Sequence, residues 1–171
     1  MTTQTTRSTA HATFVIERTF DAPLDRVWDA FAVPAQHAQW FGSDPGFAET
    51  EASDDFRVGG QAVQDGQWHD GPTSRYVATY TDIVERRRIV STYDMWVAGE
   101  HLSTSVTTTE FEAVDGGTRV TFTEQGVYLD GKEDGSGREE GFRGILETPW
   151  TPPGGVLTSA DDATACAPNP T

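Results

Sequence analysis

The chain has 171 residues, with 27 acidic against 12 basic side chains, a net charge of −15 and a pI near 4.4. That length fits one domain with a real hydrophobic core, and the charge argues against nucleic acid or anionic membrane as a partner, since both need a basic surface. No apolar run approaches the roughly 20 residues that span a bilayer, residues 1–12 lack the apolar centre of a signal peptide, and the single Cys166 excludes an internal disulfide framework or a thiolate metal cluster; a cytoplasmic protein is the default expectation.

Residues 1–13 show no periodicity and read as a disordered arm. In FVIERTF, Phe14, Ile16, Arg18 and Phe20 alternate with Val15, Glu17 and Thr19, the pattern of a strand with one apolar face. Asp21 then offers a helix N-cap, and Pro23 sits near the first helical position. Leu24, Val27, Trp28 and Phe31 form one helical face, and Pro34 starts a second short helix that presents Trp40 and Phe41. Strands follow over 47–53 and within 55–64, where Gly59-Gly60 marks a turn or bulge. Residues 74–84 alternate with Tyr76, Ala78 and Tyr80 on one face. Residues 88–97 place Ile89, Ser91, Tyr93 and Met95 opposite Val90, Thr92, Asp94 and Trp96. The Thr- and Val-rich stretch 100–114 suits a pleated surface, Asp115-Gly116-Gly117 signals a hairpin, and 118–125 returns from it. In GREEGFRGILE the residues Phe142, Ile145 and Leu146 share a helical face, and Glu139-Glu140 suit the helix N-terminus. Thr148 precedes Pro149, which stops the helix; residues 149–171 hold five of the nine prolines and read as a disordered tail.

The order of one strand, two short helices, about six antiparallel strands and a C-terminal helix is that of the α+β helix-grip architecture, also called START-like or SRPBCC. The segments FVIERTFDAPLDRVWDAFAVPAQHAQWFG, FRVGG, YTDIVERRRIVSTYDM, EFEAVDGGTRVTFTEQG and REEGFRGIL together resemble the bacterial branch named for the activator of the heat-shock protein 90 ATPase. The resemblance covers residues 13–147. It implies a curved antiparallel sheet of six to seven strands gripping a C-terminal helix, with an apolar cavity between them. Members resembling this chain continue that helix for several more turns. Here it is shortened to eleven residues, about 16 Å at 1.5 Å per residue.

Alternation nominates the inner face of such a sheet. Val120 and Phe122 take Glu124 inward with them, and Phe111 takes Thr109, Thr107, Ser105, Ser103 and His101 unless a bulge intervenes. Glu124 near Tyr93 is the sharpest candidate, since an inner-face carboxylate can be desolvated into a general base or hydrogen-bond acceptor. The competing reading has it reach water at a strand end, or pair with Arg138 or Arg143. Tyr76, Tyr80, Tyr93, Met95, Ser103, Ser105, Phe122 and Glu124 are the expected ligand-binding residues, with Trp40 and Trp68, alongside Phe41 and Trp96, at a cavity mouth. Against this, buried tyrosines often bond backbone, and Trp40 and Phe41 also read as core anchors.

Other constellations fail on chemistry. The run from Asp130 has Lys132 and Gly141 where a calcium loop needs ligands. His69, Asp70 and His101 lack metal-ligand spacing, no Gly-x-Gly-x-x-Gly joins a strand to a helix, and the few histidines make no nucleophilic triad. No cofactor or metal is expected. Three functions remain. The first is binding of a small apolar or aromatic ligand in the cavity, and the second is a chaperone ATPase-associated role taken from the family name. The third is a cyclase or isomerase using Glu124 and Tyr93. Binding is favoured over catalysis, because sequence alone places no pair of titratable groups together. The exposed edge strands of an antiparallel sheet allow a monomer or a homodimer.

Overall fold

The computed structural model describes residues 7–42 and 44–147. Its strands are β1 (Thr9–Phe20), β2 (Phe47–Asp54), β3 (Gln61–Trp68), β4 (Thr73–Val84), β5 (Arg88–Val97), β6 (Glu100–Val114) and β7 (Gly117–Leu129). Helices α1 (Leu24–Ala32) and α2 (Pro34–His37) follow β1, and α3 (Ser136–Glu147) follows β7. The strands form one antiparallel, curved, seven-stranded sheet in the order β1-β7-β6-β5-β4-β3-β2. Every link between β2 and β7 is a hairpin between neighbours, and β1 closes the far side by pairing with β7. This is the helix-grip fold.

The alternation of β1 survives, with Phe14, Ile16 and Phe20 buried. The strand begins earlier than the sequence indicates, so residues 9–13 belong to the sheet rather than to an arm. The reason lies in β7, which runs past Gln125 to Leu129 and gives Thr9 to Thr13 partners from Leu129 to Gln125. The helix start also differs. Pro23, in extended conformation, is the N-cap of α1, and no side chain caps it, so Asp21 does not serve. Pro34 opens α2, where its missing N–H is harmless. The apolar face of α1 packs as its spacing predicts, with Val27, Trp28 and Ala30 buried. Trp28 meets Phe111 edge-on at 5.2 Å and Phe56 at 6.2 Å between ring centres, and Phe31 meets Phe111 at 5.1 Å.

The turn between β6 and β7 locks this layer to the sheet. The Thr118 hydroxyl, fully buried, donates to the Ala22 carbonyl at 2.8 Å. A Cβ on Gly117 would stand 1.9 Å from the Phe20 carbonyl oxygen, at a φ of +156°. Neither backbone segment can yield there, so Gly117→Ala is expected to cost about 1–3 kcal/mol in thermal or urea denaturation.

Helix α3 starts where Asp134 accepts the Ser136 amide at 3.0 Å and its hydroxyl at 2.7 Å. Phe142 stacks on Phe122 at 4.6 Å and Leu146 is buried, which presses the helix onto β1, β5 and β7. Its last residue, Glu147, pairs with Arg18 on the inner face of β1. The proline-rich stretch 149–171 lies outside the described residues.

Candidate ligand-binding cavity

Three neighbouring strands put hydroxyls and one carboxylate on the same face. Pairing sets Tyr93 of β5 opposite Ser105 of β6, and Thr107 of β6 opposite Glu124 of β7. Glu124, Ser103, Ser105, Tyr93 and Tyr128 are all buried to within 2 % exposure. One carboxylate oxygen, Oε1, accepts from the Tyr93 hydroxyl at 2.8 Å, the Ser105 hydroxyl at 2.9 Å and the Tyr128 hydroxyl at 3.3 Å. The other, Oε2, has no hydrogen-bond partner among the described residues.

Arg138, in the first turns of α3, closes this network from the helix side. Its guanidinium donates to the Tyr93 hydroxyl, to Ser103 Oγ at 3.2 Å and to Glu133 at 2.9 Å. It lies over the rings of Tyr93 and Tyr128 at 5.5 and 6.0 Å, and 4.0 Å from Glu124 Oε1. Tyr128 can turn back toward Glu124 because glycines make room: a Cβ on Gly126 would meet its ring at 2.8 Å, and one on Gly135 at 3.0 Å.

Burial pushes the Glu124 carboxyl above its usual range, against the opposing pull of its hydrogen bonds and of Arg138. Burial likewise raises Tyr93 and Tyr128, so both phenols stay protonated as donors. Arg138 loses charge stability to burial, but Tyr93, Glu133 and Glu124 more than offset this and hold it above its usual value. The network is therefore directional. Arg138 donates to Tyr93, and Tyr93 donates to Glu124.

Beside it, between α3 and the β2–β5 half of the sheet, lies a cavity of about 780 Å³. Aromatic side chains dominate its wall, among them Trp40, Phe41, Trp68, Tyr76 and Phe142, and Tyr93 and Arg138 present the polar end. The short α3 still covers it, contributing residues from Gly137 to Ile145. A smaller cavity of about 70 Å³ continues from it and shares Trp40, Phe41, Tyr76 and Phe142.

A model of the family described as activator of Hsp90 ATPase homolog 1-like protein matches residues 21–148. This chain belongs to that family. An uncharacterised protein of Rhizobium leguminosarum is similar at 41% identity and a TM-score of 0.79, over 83% of this chain and 93% of that one. The Mll3558 protein of Rhizobium loti is similar at 44% identity and a TM-score of 0.76, over 82% and 95%. An activator-like protein of Aeromonas hydrophila, at 21% identity and a TM-score of 0.59 over 80% and 88%, shares the fold. No curated protein matches the chain.

Within this activator-like domain the expected site residues divide. Tyr76, Tyr93, Met95, Trp40 and Trp68 line the large cavity. Tyr80 and Phe122 line the small one, and Tyr80 is held by Asp54, to which its hydroxyl donates at 2.9 Å. Ser103, Ser105 and Glu124 line neither, and sit behind Tyr93. Trp40 is also a core anchor, 9 % exposed, with its indole N–H on the Ala30 carbonyl at 3.0 Å.

Three expected placements are corrected. The β5–β6 register slips between Met95 and Trp96, leaving Leu102 as the extra residue. His101 is thereby turned off the inner face, stacks on Trp96 at 5.0 Å and bonds Asp94 at 3.2 Å. Trp96 lies on that outer face by the alternation of β5 itself and does not line the cavity. Arg143 does not reach Glu124 but pairs with Glu139 one helical turn away. Sequence reasoning passes over Tyr128, because the reading of β7 stops at Gln125. It also misses a histidine–carboxylate pair in which His37 Nδ1 and Asp54 Oδ2 stand 3.1 Å apart, since α2 and β2 carry no shared periodicity.

Proposed function

We propose that this domain binds a small, largely apolar or aromatic molecule in the cavity between the sheet and α3. The observation that carries the reading is the cavity itself. A volume of about 780 Å³ falls within the range of about 300–1,000 Å³ that holds small organic ligands, and an apolar wall with a few convergent polar groups is the usual composition of such sites. Trp40, Phe41, Phe47, Trp68 and Phe142 line this space rather than fill it. Tyr93 and Arg138, held from behind by Glu124, Ser103 and Glu133, supply a rigid polar end that fixes orientation without reorganising on binding.

Native mass spectrometry of freshly purified protein tests this. The expected spectrum contains a bound mass of a few hundred daltons that is lost on denaturation, and the same spectrum separates monomer from homodimer. Apo protein alone, with no change of tryptophan fluorescence across an aromatic fragment set, overturns the reading. We propose a cytoplasmic location; among the described residues no helix is long and apolar enough to cross a membrane.

A second reading, an isomerase- or cyclase-type enzyme, draws on the contact between Tyr93 and Glu124, in which the phenol both lines the cavity and touches a raised carboxyl. Its weakness is access, because Glu124 meets a ligand only through Tyr93. A role with a chaperone ATPase rests on the family description alone, and fold-level kinship does not carry function. An unchanged chaperone ATPase rate on adding the protein removes it.

A further inference from the structure

The composition of the cavity wall narrows the ligand further, taking the binding reading as given. We propose that the ligand is an organic cation: a quaternary or alkylated ammonium group carried on an apolar or aromatic body.

Three observations converge on this. The first is the wall, where Phe41, Phe47, Trp68, Tyr76 and Phe142 surround one space. Aromatic faces carry negative potential, and a box of them recognises ammonium groups that are too bulky or too alkylated to keep their water. The second is the charge along the rim. Asp44 and Glu140 line the cavity, both exposed, and Glu140 makes no ion pair among the described residues. Arg138 is the one cation in the wall among the described residues, and its charge is matched locally. Glu133 binds it at 2.9 Å, Glu124 lies at 4.0 Å, and its flat face is taken up by the rings of Tyr93 and Tyr128. Asp44 accepts the Gly46 amide at 2.6 Å through Oδ1, but neither it nor Glu140 has a countercharge among the described residues, so both charges are left to be met from outside.

The third observation is the field of the whole chain. With a net charge of −15, the low-dielectric cleft between sheet and helix concentrates cations and repels anions. An anionic ligand would have to approach against that field and find Arg138 already engaged. A neutral one would gain nothing from the two rim carboxylates.

The test uses two probes that differ only in a nitrogen for a carbon: 4-(2-trimethylammonioethyl)phenol and its neutral isostere 4-(3,3-dimethylbutyl)phenol. Binding to the full chain is followed by the indole N–H resonances of the tryptophans. The cation is expected to bind about tenfold more tightly at low salt, with the preference shrinking in about 0.5 M NaCl. Glu140→Gln, on an exposed helix position, should reduce the preference. Trp68→Leu keeps an apolar wall but removes the π face, so it should weaken the cation while leaving the neutral probe nearly unchanged. Equal or tighter binding of the neutral isostere overturns the cation proposal and leaves the cavity reading intact. Binding of neither probe also overturns it, and the copurification spectrum then decides the cavity reading separately.

Discussion

Glu124→Ala is expected to destabilise the protein by about 3–5 kcal/mol. Three hydroxyl donors, from Tyr93, Ser105 and Tyr128, converge on a single carboxylate oxygen that is closed to solvent. Alanine would leave all three without their acceptor, open a void and strand Arg138 beside Glu133 alone. Glu124→Gln keeps the shape and leaves a carbonyl for the three hydroxyls, while its amide takes the place of the unpartnered Oε2. Its cost should be about 1–2 kcal/mol near neutral pH.

The pair of variants also carries a pH signature. The Glu124 carboxyl titrates above its ordinary value of 4.5 in the folded chain because it is buried. The folded state therefore holds a proton that the unfolded chain has already released. The associated stabilisation is complete below the ordinary value and is lost as pH rises through the raised one. Urea denaturation at a series of pH values from about 4.5 upward should show the gap between wild type and Glu124→Gln narrowing as pH increases. A gap that widens with pH would mean that Glu124 is stabilised as the anion, and would refute the dominance of desolvation.

Trp28→Ala should be as damaging for a different reason. Trp28 is 6 % exposed and locks α1 to the sheet through Phe111 and Phe56, so truncation should cost about 3–5 kcal/mol. At about 2–4 °C per kcal/mol for a chain of this size, Tm should fall by about 10 °C. Trp28 lines neither cavity. Below the new Tm, ligand binding should therefore persist, in contrast to Tyr76→Ala or Phe142→Ala, which remove cavity wall.

What could be read from the chain follows from what alternation can and cannot say. β5 and β6 were legible to the residue, because Ile89-to-Met95 and Ser103-to-Phe111 keep strict period-2 order with turn residues at both ends. The same order placed Tyr93, Ser105 and Glu124 on one face, and the register then brought them into contact. Alternation fails where the ladder slips. One extra residue at Leu102 moved His101 to the other face, beside Trp96, and no local signal in Trp96–Ser103 marks that bulge. Length fails for another reason. Gly126 looks like the end of β7, yet the strand continues because the missing side chain houses the Tyr128 ring. Arg138 was visible only as a possible ion-pair partner, since its place over Tyr93 depends on how α3 docks.

The outer edge of the sheet has a bearing on how the molecule behaves in company. β2 forms that edge and carries the exposed Glu49 and Glu51 without a single basic residue. A bare edge is a template on which a foreign strand can zip by backbone hydrogen bonds. Any neighbour that laid its own β2 alongside would line up carboxylate against carboxylate, at a spacing of about 5 Å where like charges repel. The acidic composition of β2 thus works against the pairing of one such edge with another from this side of the fold.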